Sequence, residues 1–505
     1  MILSRYTLKN IQSAQMSAPA EDLLELPEKV LQFGTGVLLR ALPGYFIDKA
    51  NKQGVFNGRI VMVKSTTQGN DATAFENQDG LYTLCVRGIE DGRPVHENII
   101  NASVSRVIEA QQDWPSVLEC AHNQQLQIII SNTTEVGIQL VNDDIRRHPP
   151  VSFPGKLLAF LYERFKAFNG SPASGMVIVP TELLPGNGKI LESIVLELAH
   201  LNGLQADFIE WLEQHNHFCN SLVDRIVPGR PSSEQAAAMQ TDWGYKDSLI
   251  TMTEHYRLWA IEGDEHIAKI LSFATVDEGV IVTPNIQQHR ELKLRLLNGT
   301  HTLSCALAFL AGEQTVKSAM ENPAVAGFIH HLMMEEIAPS IPHDITLATA
   351  HVFGEKVLDR FRNPHIEHYW LNISMQYTSK LRMRCVPILL KHYEQFECPP
   401  QTMALGFAAY LVFMQPTKKS AEQFTGHYNG YDYTINDDAA DYFYRAWQGF
   451  TPAALVHEVL SNTALWDEDL SVLPGFSEAV LQHVLVILQD GVVHAIEQLG
   501  HAHKV

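Results

Sequence analysis

No run of 18 or more apolar residues occurs anywhere in this sequence, and a helix crossing a bilayer needs about 20. The opening stretch MILSRYTLKNIQSAQMSAPAEDLLELPEK has no continuous apolar segment after its charges and no small-residue cleavage pattern. Neither secretion nor membrane insertion is expected from it. Cysteine is scarce: the six residues Cys85, Cys120, Cys219, Cys305, Cys385 and Cys398 are scattered, without a Cys-x-x-Cys pair. That pattern argues against structural zinc and suits small buried hydrophobes in a reducing compartment, so the cytoplasm is the expected location. Positive charge is also in deficit. With 37 Lys and Arg against 57 Asp and Glu, the net charge is -20, which argues against nucleic acid as a partner. An anionic small molecule remains a possible partner wherever cations cluster locally. The 23 histidines include the adjacent His330-His331 and the spaced His365 and His368, yet no His-Glu-x-x-His or comparable ligand pattern occurs, so no metal site is expected.

What the chain does have is apolar material. At 505 residues and 46% hydrophobic content it can build large cores, and the length suggests two or more domains. The first half alternates short β-branched runs with helical spacing: KVLQFGTG (29 to 36), RIVMVKST (59 to 66), LQIIISNTT (126 to 134) and GMVIVPTEL (175 to 183), with helices expected over 37 to 50, 154 to 168 and 189 to 201. This is the pattern of an α/β domain with a doubly wound parallel sheet. LYTLCVRG (81 to 88) and VHENIINASVSRVI (95 to 108) read as an inserted antiparallel hairpin or edge. Beyond about residue 285 the β pattern fades and helices are expected over 301 to 311, 380 to 395, 402 to 414, 436 to 447, 453 to 460 and 477 to 498. The expected organisation is an extension over 1 to 25, a Rossmann-type domain over 26 to 285 and a helical catalytic domain over 286 to 505.

Gly34, Thr35 and Gly36 follow an apolar strand and precede a helix, where a dinucleotide fold places its phosphate-binding turn. Leu39 occupies the third fingerprint position, so the context carries this reading more than the motif does. The second strand ends in Lys64, not in the acid that would bind a ribose 2'-hydroxyl; Asp71 is the nearest acid, and Lys64 would otherwise tolerate a 2'-phosphate. Ser131 to Glu135, including Thr134 and Glu135, and the pair Thr181-Glu182 stand at the carboxyl ends of later strands, where open α/β sheets bind ligands.

The segment ELKLRLLNGTH sets Lys293, Asn298 and His301 at spacings of five and eight, just before a strongly apolar run. On an α-helix the three would share an arc of about 140° and could direct an amine, an amide and an imidazole at one point. A structural reading, with Lys293 snorkelling and the other two satisfied by backbone, is equally open at this stage. Gly299, inside the same helix, is best understood if something approaches the backbone closely. Asp224 and Arg225 sit in an apolar stretch, as a structural or a catalytic pair. Lys380, Arg382 and Arg384 concentrate positive charge in an acidic chain, as a solvated face or as a clamp for a carboxylate.

GTG after the first strand, VDRIVP, and Lys293-x4-Asn298-x2-His301 together resemble the polyol-specific long-chain dehydrogenases, the mannitol dehydrogenase family, through nearly the whole chain. The resemblance implies a Rossmann-type domain followed by a mostly helical one, an active site between them, NAD as cofactor and no catalytic metal. It implies Lys293 as general acid/base, Asn298 as part of an oxyanion hole, and His301 as an orienter of substrate. Lys380 matches a further active-site lysine of the family. The N-terminal stretch is closest to family members that act on hexuronates, which implies hydride transfer between NADH and a sugar acid. A second hexuronate, fructuronate, and uncharged polyols such as mannitol are the rival substrates, and a non-catalytic nucleotide-binding sensor is the rival class. Relatives have an Asp-Asn near the end of the fourth strand, where this chain has Thr181 and Glu182 with Asn187 nearby, and an arginine where it has Asn372. Those departures leave the second oxyanion donor open and point to Arg382 or Arg384 for a carboxylate. Monomer and homo-oligomer are equally compatible with the sequence.

Overall fold

The computed structural model describes all residues except 12–15, 66–70, 134–136, 421–422 and 503–505. The chain forms two compact units, Met1–Gly88 with Pro94–Ile286, and Ile89–Arg93 with Gln287–Val505.

In the first unit six strands make one parallel sheet: β1 (Glu28–Phe33), β2 (Arg59–Lys64), β3 (Val104–Glu109), β4 (Ile128–Ser131), β5 (Val177–Pro180) and β6 (His217–Phe218). Their order is β3-β2-β1-β4-β5-β6, with every neighbouring pair parallel. This is the doubly wound arrangement of dinucleotide-binding domains, whose strand order reverses between β1 and β4. The strands are apolar on both faces because helices cover both. Leu31, Phe33, Val61, Val63, Ile129 and Ile178 pack with Leu157, Leu161, Leu191 and Trp211, while Val30, Ile60, Met62, Ile128 and Val177 pack with Phe46, Ile47 and Trp259.

Two expectations for this unit are corrected. The helix expected over 37 to 50 is two helices, α1 (Val37–Ala41) and α2 (Pro43–Lys52), because Pro43 lacks an N–H and Leu42 turns the chain at φ -119°, ψ -78°. The segment 95 to 108 also divides. Arg93–Asn101 joins Tyr82–Glu90 in a separate four-stranded sheet through a turn at Asp91 and Gly92, both with positive φ, whereas Val104–Glu109 is the edge strand β3 of the main sheet. The covering helices α3 (Phe153–Ala167) and α4 (Asn187–Leu201) start where Ser152 caps one and Gly186, at φ 72°, admits the other.

The second unit is built around α10 (Gln401–Phe413), labelled after α5 (Gln287–Leu292), α6 (Thr300–Leu310), α7 (Leu347–Phe361), α8 (Tyr377–Arg384) and α9 (Val386–Tyr393). Thr402 through Phe413 are buried without a break, so this helix is apolar all round and forms the centre of its core. It packs against α6 and α11 (Phe476–Asp490). Its N-terminus is capped from a distance: the buried carboxylate of Glu336 accepts the N–H groups of Thr402 and Met403, each at 2.7 Å.

Here too the structure differs from expectation. The helix expected over 380 to 395 breaks at Cys385 ahead of Pro387, and the one over 477 to 498 breaks at Gly491, where φ is 87°. Pro416–Ser420, Gln423–Tyr428 and Tyr431–Ile435 form an antiparallel sheet inside a region read as helical. Its Asn429-Gly430 turn, with φ of 48° and 86°, suits a tight hairpin.

Candidate active site

Gly34 closes β1 at φ 122°, a backbone conformation that side chains avoid, and an added Cβ would stand 3.0 Å from the carbonyl oxygen of Asn132 and 3.0 Å from Leu39 Cδ1. Its N–H donates to the carbonyl of Val63 on β2 at 2.9 Å. The turn therefore presses against both neighbours of β1, at the strand-order reversal. Gly36 is the N-cap of α1, is exposed, and would place a Cβ where nothing of the protein lies within 4 Å. Gly34, half-buried Thr35 and Gly36 thus form a bare backbone cradle at the place where this fold takes a pyrophosphate, and the residues present fit a dinucleotide.

Lys64, at the end of β2, is buried, and its Nζ lies 3.1 Å from Glu109 Oε2 at the end of β3. Asp71 opens the helix Asp71–Asn77, its side chain being outside the described ones; Thr134 and Glu135 lie outside the described residues altogether. Glu182 is buried beyond β5 and accepts from Ser131 Oγ at 3.1 Å, and from the N–H and Oγ1 of Thr133 at 2.9 and 3.1 Å. Asn187 is buried with its amide committed: Nδ2 donates to the carbonyls of Pro180, Glu182 and Ser221, and Oδ1 accepts from the N–H groups of Gly188 and Ser221. Asn187 therefore staples the turn after β5 to the strand Ser221–Asp224. Asp224 ends that strand and is buried. Arg225 gives Nε and Nη2 to the carbonyl of Glu254 and Nη1 to that of Ala41, with its guanidinium 4.8 Å from the Tyr45 ring centre. The donors of Arg225 serve the backbone and not the neighbouring Asp224.

In the second unit, Lys293 through Gly299 form a π-helical segment that continues directly into α6. The reading of this stretch as a regular α-helix is thus corrected, and with consequence. The turn of a π-helix is wider than that of an α-helix, so Lys293 and Asn298 come closer in direction, and the trio with His301 narrows from about 140° to about 60°. Lys293 and Asn298 are half-buried and His301 is buried. Gly299 meets the close approach its position suggested: an added Cβ would be 3.2 Å from Ile388 Cδ1 of α9.

His301 lies flat on Phe361, with ring centres 4.2 Å apart at 16°, and meets the edges of His368 at 5.0 Å and Trp370 at 6.1 Å. Burial, reinforced by His368, Arg360 and Arg384, pushes its pKa well below the usual histidine value, so the ring is neutral at pH 7. Its buried Nε2 has no hydrogen-bond partner among the described residues. His368 is shifted downward by burial and by Arg360 and Lys380.

Arg360 and Arg384 act on His301, and Arg360 and Lys380 on the neighbouring His368. Lys380 on α8 donates to the carbonyl of Ile373 at 2.9 Å, and burial, with Arg384, lowers its pKa. Arg384 gives Nη1 to Thr302 Oγ1 at 3.2 Å, while its buried Nε has no partner among the described residues. Thr302 passes its own hydroxyl hydrogen to the carbonyl of Asn298 at 2.7 Å. Arg382 diverges from this group and reaches Asp467 at 3.6 Å, in a pair exposed on both sides. Sequence reasoning singled out the trio and the basic helix. It missed Phe361, Arg360 and Thr302, and it noted His368 only as a possible metal ligand; their convergence on His301 is long-range and leaves no local pattern.

A six-stranded sheet in the 3-2-1-4-5-6 order carrying a bare glycine turn, followed by a helical unit with a lysine, an amide and an imidazole on one stripe, defines the class of two-domain Rossmann dehydrogenases. Residues 28–274 match the family model of the mannitol dehydrogenase Rossmann domain, and residues 285–488 match that of the mannitol dehydrogenase C-terminal domain. The chain belongs to the mannitol dehydrogenase family. It is 36% identical over 496 residues to the altronate oxidoreductase of Halalkalibacterium halodurans, covering 95% of this chain and 96% of that one. With the altronate oxidoreductase of Bacillus subtilis it shares 37% over 480 residues, covering 94% and 95%. The solved structure of Pseudomonas fluorescens mannitol 2-dehydrogenase, a ternary complex with NAD and D-mannitol, aligns with a TM-score of 0.67 at 21% identity over 99% of both chains. A substrate-free D-sorbitol dehydrogenase aligns at 0.76 with 20% identity over 98% of this chain and 100% of that one. Likeness at that level of identity speaks for the fold. Among the described residues no helix is long and apolar enough to cross a membrane.

Proposed function

We propose that this chain is an NAD-dependent oxidoreductase interconverting D-tagaturonate and D-altronate in hexuronate catabolism. The observation that carries the reading is the near full-length similarity to altronate oxidoreductases, at 36% and 37% identity. The placing of Lys293 and Asn298 on a π-helical segment that runs directly into the helix carrying His301 supports it, since such segments frequently mark functional sites.

NAD, when bound, supplies or accepts the hydride, and Gly34, Thr35 and Gly36 are the residues that would hold its pyrophosphate. As the ketone is reduced, negative charge develops on its oxygen. The amide of Asn298 stabilises that charge by hydrogen bonding, and Lys293 delivers the proton to the same oxygen; in the oxidative direction Lys293 removes it. His301, neutral at pH 7, offers Nε2 to a substrate hydroxyl and so orients the sugar without adding charge. Lys380, fixed by the Ile373 carbonyl, contributes a positive field on the same side. Because the amide of Asn187 is fully committed to backbone, Asn298 is the oxyanion donor in this account. The scattered thiols fit a cytoplasmic enzyme.

The test is a parallel assay of tagaturonate, fructuronate and fructose with NADH and with NADPH. Tagaturonate with NADH is expected to give the highest kcat/KM. A higher value for fructuronate or fructose would reassign the substrate, and dinucleotide binding without reduction of any of them would mark a sensor.

A further inference from the structure

The guanidinium of Arg384 is held by one end only. Nη1 is spent on Thr302 Oγ1 at 3.2 Å, and Nε is buried without a partner. A buried charged donor left unmade costs more than an exposed one, so its persistence calls for a ligand. The edge formed by Nε and Nη2 is the one that takes a carboxylate side-on through two parallel hydrogen bonds. Close by, the buried Nε2 of His301 is likewise unsatisfied.

Three features fix where that edge sits. The helix end carrying it is anchored by Arg295 of the π-helical segment, whose Nη1 donates to the carbonyls of Met383 and Arg384 at 2.8 and 2.9 Å. Arg295 is itself held by Glu291 at 2.9 Å. Thr302 then links Arg384 to the carbonyl of Asn298, so the guanidinium is registered against the backbone of the residue that stabilises the reacting oxygen. Arg382, two residues earlier, has none of this and is engaged with Asp467 at the surface.

We propose that Arg384 is the residue that selects a carboxylate-bearing sugar, binding the acid group through its Nε edge while His301 hydrogen-bonds the same substrate. The assignment rests on the hexuronate reading of the site. It places the distinction between a sugar acid and an uncharged polyol in one side chain, and it makes Thr302 a positioning residue for that side chain.

The experiment compares the parent enzyme with Arg384→Gln, Arg384→Lys and Arg382→Gln. The readouts are steady-state kinetics on tagaturonate and fructose, and thermal protection of the NAD-loaded enzyme by D-altronate against that by D-mannitol. For Arg384→Gln, KM for tagaturonate is expected to rise about 10- to 100-fold and altronate protection to be lost, with fructose and mannitol values changing by far less. Arg384→Lys, which retains the charge without the side-on edge, should fall between, and it decides the matter if the glutamine variant does not fold. Arg382→Gln should match the parent. Equal effects on acid and uncharged sugar, or a selective loss in Arg382→Gln, would overturn the proposal. A parent enzyme that reduces no tagaturonate and gains no protection from altronate would instead remove the functional reading beneath it.

Discussion

Arg295 donates to the carbonyl of Arg384 at 2.9 Å, tying the π-helical segment that carries Lys293 and Asn298 to the end of the basic helix α8. The same guanidinium is paired with Glu291, and both side chains are buried. Removing one partner leaves the other as an uncompensated buried charge. Arg295→Met is therefore expected to lower the unfolding free energy by about 3–5 kcal/mol, read from urea or thermal unfolding. A loss no larger than that of an exposed ion-pair variant such as Lys391→Ala would show that the pair does not hold the segment.

The two glycines of the nucleotide turn should separate stability from binding. Gly34→Ala must accommodate a φ of 122° and two contacts at 3.0 Å, so it is expected to destabilise the protein by about 1–3 kcal/mol. Gly36→Val adds bulk where nothing of the protein lies within 4 Å, so its unfolding midpoint should match the parent while its affinity for NADH, followed by fluorescence quenching, falls. Unchanged NADH affinity in Gly36→Val would place the pyrophosphate elsewhere.

Acid should destabilise the second unit through the buried His301 and the half-buried His483. The His301 pKa lies well below the 6.5 of an unfolded histidine, and that of His483 is lowered to about 4, burial being the leading cause in both. The unfolded chain therefore takes up protons near pH 6.5 that the folded one refuses until lower pH. Their contribution to stability is complete above about pH 6.5 and is lost as pH falls toward the folded values. A thermal scan series from pH 8 to pH 4 should show the midpoint dropping below pH 6.5, with a shallower fall in His483→Gln. Parallel curves for parent and variant would contradict this.

Lys64 and Glu109 bear on cofactor choice. Their 3.1 Å pair places a carboxylate beside the ammonium group at the end of β2. Glu109→Gln removes one negative charge from beside that lysine, and the ratio of NADPH to NADH efficiency is expected to rise by up to about tenfold, as one charge–phosphate contact allows. An unaltered ratio would show that the 2'-position lies away from Lys64.

Much of the first unit was legible because strands covered on both faces read as uninterrupted apolar runs, and Phe33, Lys64, Ser131 and Pro180 end strands close to where those runs end. Three helix breaks were visible as Pro43, Pro387 and Gly491 but were outweighed by the apolar periodicity around them. Asn429-Gly430 likewise signalled a hairpin in the interval between the helices expected over 402 to 414 and 436 to 447. The π-helical segment was not legible, since ELKLRLLNGTH has ordinary helical composition and its widened turn is enforced by distant contacts such as Arg295 with Met383 and Arg384. For the same reason the basic helix could be recognised but not resolved: Arg382 and Arg384 are equivalent in sequence, and only packing sends one to Asp467 and the other to Thr302.

The central claim, proton delivery by Lys293 to a reduced ketone, is tested most directly by Lys293→Ala assayed with tagaturonate and NADH beside a direct measurement of NADH binding. The account predicts a kcat lower by about 10²- to 10⁴-fold with NADH affinity unchanged. Turnover at the parent rate would contradict it.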